Sequence, residues 1–69
     1  MKKDYAKAAD EYVSALEFDR SDADLFINLC RAQLALGEMA DARRSFDSAV
    51  QLRPMINETH TSLKEQLGK

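Results

Sequence analysis

Cys30 and His60, the one cysteine and the one histidine of the chain, are the two side chains that could pair as nucleophile and base. A reactive thiol needs a cation or base beside it and some exposure to solvent. Only Arg31 is adjacent, and the helical period turns Cys30 inward, so Cys30 reads as a packing residue. His60 has no Ser or Asp at a spacing that would make it a general base, and it reads as a solvated or half-buried surface histidine. One Cys and one His are too few ligands for a structural zinc site, and a lone Cys forms no internal disulfide. With no nucleophile–base pair, no Gly-rich phosphate loop and no metal cluster, the chain is expected not to be an enzyme. No catalytic residue, cofactor or metal is assigned.

Three weaker patterns remain. Asn57-Glu58-Thr59 has the form of a glycosylation acceptor, but three residues match by chance often, and Asn57 is read as a helix cap. Asp41, Arg43, Arg44 and Asp47 read as a solvated helix face. Met1, Met39 and Met55 form no stripe, and Met39 is expected to fill the core.

These residues must be positioned by one small domain, since the chain has 69 residues. A core of that size is marginal, because a short chain buries little of its surface. Stability must come from well-packed helices or from a partner. The composition, 45% hydrophobic and 32% charged, is that of a globular protein rather than a disordered tail. Net charge is −2 and the ten basic residues are scattered. Nucleic-acid binding needs a basic stripe that releases counterions, so no nucleic-acid partner is expected. No apolar run approaches the ~20 residues that span a bilayer, so no membrane partner is expected. Lys2-Lys3 leads into Asp4 and alternating polar residues rather than a signal peptide. The expected compartment is cytoplasmic, where Cys30 stays reduced.

Apolar residues recur at helical spacing throughout, and no stretch alternates like a strand. Tyr5, Ala8, Ala9, Tyr12, Ala15 and Leu16 mark a first helix over 4–18. Ser21, with Asp24 three residues on, has the form of a capping box opening a second helix over 22–36. Gly37 suits its left-handed C-terminal cap. A third helix over 39–52 carries Ala42, Phe46, Ala49 and Val50, and Pro54 stops it. A fourth, over 56–67, is thinner, with Ile56, Leu63 and Leu67 as its main apolar residues. Short connections make neighbours antiparallel, giving an all-α stack of four helices.

The stretch YAKAADEYVSALEFDR (5–20) is echoed 34 residues later by MADARRSFDSAVQLRP (39–54). Ala8 matches Ala42, Tyr12 matches Phe46, Ala15 matches Ala49 and Phe18 matches Leu52. A fixed period of this length marks a stacked repeat. The unit reads Phe26-x-x-Leu29-Cys30-x-x-Gln33, then Gly37, then Ala42-x-x-x-Phe46, Ala49 and Pro54. It resembles the tetratricopeptide repeat, with Phe26 in place of Trp, Cys30 of Gly and Gln33 of Tyr. Small Cys30, Ala42 and Ala49 would let antiparallel helices approach closely. Phe26, Leu29, Phe46 and Leu52 would fill the space between hairpins. The Gln33 amide needs a partner or partial exposure.

The resemblance covers nearly the whole chain as half a repeat, a full repeat and another half. Arg20 stands where Pro is usual, and Lys64 falls at the place of Cys30, so its face should be solvated, as in a capping helix. The single domain, 1–69, is expected to be part of a longer array. The related pentatricopeptide repeat reads RNA, but this acidic chain lacks the basic surface for that.

The resemblance implies a protein–protein interaction module that binds a peptide or helix of a partner in a concave groove. Carried over by position, the groove would expose Asp24, Ile27, Asn28, Arg31 and Leu34 from the second helix. From the fourth it would add Glu58, Thr61 and Glu65. One subfamily grips the C-terminal carboxylate of heat-shock chaperones with Lys, Asn and Arg side chains. Only Asn28 has a counterpart here, and Glu58 and Glu65 would repel a carboxylate, so that function is set aside. The alternative is a structural or assembly segment. In it the face around Tyr5, Ala9 and Tyr12 is left partly bare, and a homo-oligomer, head to tail, would cover it.

Overall fold

The computed structural model describes residues 4–68. Five helices follow one another: α1 (Tyr5–Phe18), α2 (Ala23–Ala35), α3 (Met39–Leu52), α4 (Ile56–Thr59) and α5 (Thr61–Leu67), with no strand among the described residues. The fold is all-α. Helix α2 is the middle layer, packed against α1 on one side and α3 on the other, while α4 and α5 pack on α3.

The core forms where α2 meets α3. Ala23, Ile27 and Cys30 of α2 cluster with Ala42, Phe46 and Ala49 of α3, and Ile56, Leu63 and Leu67 close the far side. Cys30, Ala42 and Ala49 have no exposed surface at all. Small side chains at the crossing set how near two helix axes can come. On the other side of α2, Leu29 and buried Leu16 of α1 line one hollow. Gln33 and Ser45 meet across the α2–α3 seam, where the Ser45 hydroxyl donates to the Gln33 amide oxygen at 2.7 Å. That bond supplies the partner the Gln33 amide requires, and it satisfies Ser45, which is buried.

Local chemistry fixes the helix ends. Asp4 caps α1 by accepting the Lys7 N–H at 3.0 Å. Gly37 adopts φ +80, and the pair Glu38 N–H to Gln33 C=O (2.8 Å) and Gly37 N–H to Leu34 C=O (3.0 Å) forms a Schellman motif. Helix α3 ends at Leu52, before an extended Arg53, as the residue preceding Pro54 must be.

Several local expectations are corrected. Helix α2 is capped by Asp22, whose carboxylate accepts the Asp24 and Leu25 N–H groups. Ser21 instead donates its N–H and hydroxyl to Asp19, so no capping box forms. Asn57 lies inside α4 and caps nothing, since Met55 precedes that helix. Met39 and Leu52 are exposed rather than core, because each sits in a terminal turn beyond the α2–α3 crossing. Arg43 is not merely solvated: its Nε donates to the Leu67 carbonyl at 2.9 Å, satisfying a C-terminal carbonyl of α5.

The largest difference is the fourth helix. The 56–67 segment is interrupted at His60, whose φ −117 and ψ 46 are not helical. Asn57, Thr59, His60, Thr61 and Ser62 are all weak helix formers whose side chains compete with the backbone. The Thr59 hydroxyl lies 2.9 Å from His60 Nδ1, a side-chain contact at the break itself. The α4 and α5 pieces still bury Ile56, Leu63 and Leu67.

The fully buried alanines give the first prediction. Ala42→Leu or Ala49→Leu should each lower stability by about 1–3 kcal/mol through overpacking. Circular dichroism melts measure it, and an unchanged midpoint in both variants contradicts the close crossing.

Candidate functional site

The core consumes one flank of α2, and a second flank remains open. Two hollows border it. One, of about 570 Å³, lies between the C-terminal half of α2, the start of α3 and α5; Leu34, Ala35, Met39 and Leu63 make it apolar, and Ser62 and Gln66 are its neutral polar rim. The other, of about 480 Å³, lies between α1 and α2, with Asp4, Tyr5, Ala8 and Tyr12 on the α1 side and Asn28 and Ala32 on the α2 side. Arg31 lines both. Its guanidinium is an exposed positive charge at the boundary of the two. The other arginines of α3 and its cap are engaged: Arg43 with Leu67, Arg44 with Asp41 at 3.7 Å and Arg53 with Asp24 at 3.6 Å.

Arg31, Leu34 and Asn28 thus come together around one face. Ile27 does not: it is 3% exposed and belongs to the α2–α3 core, because its position faces α3. Asp24 is exposed at the first turn of α2, paired with Arg53, outside both linings. Glu58 on α4 and Thr61 and Glu65 on α5 are exposed, also outside both linings. Helix α5 contributes Ser62, Leu63 and Gln66 instead. One residue of helix is a turn of about 100°, and projecting a straight helix through His60 selects the neighbouring stripe. Met39, Tyr5 and Tyr12 were read from the repeat as core or as a bare face. Their half-exposed positions beside α2 follow from the packing of α1 and α3, which no local pattern encodes.

A family profile described as tetratricopeptide repeat matches residues 1–67. The chain is also similar to the human protein O-mannosyl-transferase TMTC3, with 41% identity over 49 residues. That match covers 70% of this chain and 5% of that protein, so the chain spans a small fraction of its relative. No solved structure matches the chain significantly.

The two side chains with potential reactivity stand apart from this face. His60 sits at the α4–α5 break, half-buried against Thr59. Among the described residues, no three His, Cys, Asp or Glu side chains converge as a metal would require. Burial pushes the Cys30 thiol up to about 11, against a smaller opposing pull from Arg31. At pH 8 such a shift leaves roughly a hundredth of the thiolate of an ordinary cysteine. Cys30 should therefore resist alkylation at pH 8 in the folded chain and label at the rate of a free thiol in denaturant. Mass spectrometry of timed iodoacetamide reactions measures this, and fast labelling of the native chain contradicts the buried assignment.

Proposed function

The chain belongs to the tetratricopeptide repeat family, and we propose that it works as a protein-interaction module whose α1–α2–α5 face holds a peptide or helix of a partner. Repeats of this family are generally scaffolds for protein contacts rather than catalysts. The observation that carries the reading is the pair of hollows meeting at Arg31. Recesses of mixed apolar and polar lining beside an exposed guanidinium suit the groove recognition of extended or helical segments, and Arg is among the side chains that concentrate binding energy. The fold sets the scaffold and the side chains on this face set the ligand. A cytoplasmic placement is part of this proposal, and Cys30, a free and buried thiol, is compatible with it.

A second reading, a structural or assembly segment, has its own observation. Phe18 is 93% exposed at the end of α1, and Tyr5 and Val13 of the same helix are more than a third exposed. An aromatic side chain as open as Phe18 is what a second copy or a further repeat would cover. Light scattering over a hundredfold range of concentration separates the two. A rising mass that Phe18→Ser abolishes supports assembly, and a constant monomer mass removes it.

The binding reading predicts a pattern of substitutions. Peptides selected from a displayed random library should lose about tenfold or more in affinity on Gln66→Arg, which fills the apolar hollow, with helicity unchanged. Arg44→Ala is the control, since Arg44 lies outside both linings. Fluorescence polarisation measures both, and loss of binding in the control alone overturns the reading.

A further inference from the structure

The charges on this face have an order. The α5-side hollow is apolar and carries no carboxylate among its lining residues. Arg31 follows at the boundary and makes no ion pair among the described residues. On the α1 side the lining turns acidic and aromatic, with Asp4 beside Tyr5 and Tyr12. A carboxylate beside phenol rings is a seat for an ammonium or guanidinium group, through ion pairing and attraction to the ring faces. Asp4 uses Oδ1 to cap α1, and its charge remains. Asp4 apart, the carboxylates that would oppose an acidic ligand are elsewhere: Asp24 is offset by Arg53, and Glu58 and Glu65 lie outside both hollows.

We infer that the segment held on this face carries an acidic side chain that pairs with Arg31, an aliphatic side chain on the α5 side and a basic side chain on the α1 side. The inference rests on the binding reading above and names the partner's chemistry. An apolar, then acidic, then basic order complements the apolar, cationic and anionic order of the face. Complementary charges of this kind set register and orientation more than raw affinity. A reversed segment would keep its acid at Arg31 but bring its base to the apolar hollow and its aliphatic side chain to Asp4. Direction is therefore part of what the face reads.

The test uses synthetic peptides with blocked ends, so that no terminal charge competes. One set carries Leu, Glu and Lys in this order with glycine spacers of varied length. A second exchanges Glu and Lys, and a third replaces both with Gln. Fluorescence polarisation against the intact chain should show the first set binding about tenfold tighter than the second. Arg31→Glu should abolish that preference, since both charged seats are then acidic, and its exposed position leaves the fold intact. Asp4→Asn keeps a capping side chain and should remove only the preference for Lys. Equal affinity for all three sets, or a preference unchanged by Arg31→Glu, overturns the inference. If library peptides are still blocked by Gln66→Arg in that case, the binding reading stands without it. If no peptide is blocked by Gln66→Arg, both fall.

Discussion

Everything in this chain depends on how closely α2 and α3 approach. Cys30, Ala42 and Ala49 present no surface to solvent, and this contact is made by small side chains rather than large ones. Phe46 can then reach across to Ile27, and Ile56, Leu63 and Leu67 can close over α3 in one cluster. A chain of this length has little area to bury, so its stability rests on packing without voids rather than on extent. The same contact holds Gln33 within reach of Ser45. A wider spacing would leave the buried hydroxyl and the amide unpaired, at a cost of about 1–3 kcal/mol each.

The polar contacts outside the core do a different job. Arg43 to the Leu67 carbonyl ties the end of α5 to the first half of α3, and Arg53 to Asp24 joins the end of α3 to the start of α2. Exposed ion pairs contribute little energy. Only the second pairs opposite charges, since Arg43 bonds a neutral carbonyl and keeps its full charge; Arg31 is the positive charge between the two hollows.

What the sequence revealed, and where it stopped, follows one physical line. Positions whose environment repeats every 34 residues were legible, because the same crossing recurs: Ala42 and Ala49 lie at the seam as Ala8 and Ala15 imply. Gly37 was legible because only a residue free to take positive φ ends a helix in that way. Ser21 and Asp22 were harder, since adjacent polar residues compete for one capping role and Asp19 drew Ser21 away. Ile27 was hidden because a stripe count does not say which flank of α2 meets α3. The residues of the open face were only partly legible, since α1 and α5 supply half of its lining, and relative rotation of helices is a tertiary property.

The placement of α5 connects these threads. A straight helix continuing the repeat would carry Thr61 and Glu65 at the places of Ile27 and Arg31. It would set a carboxylate along the stripe that faces the groove in this family. In α5, Leu63 and Leu67 lie one turn apart and are both buried, which turns Glu65, about 200° of helix rotation from each, away from the core. Ser62 and Gln66 then face Arg31 across the hollow, and Glu65 lies outside it. Neutral side chains there neither pair with the guanidinium nor screen it. Arg31, Ser62 and Gln66 are all exposed, so an acidic group here is attracted as by a solvated surface charge, modestly and with screening by salt. The burial of Leu63 and Leu67 on either side of Glu65 thereby keeps a carboxylate off a face to which α5 gives Ser62, Leu63 and Gln66.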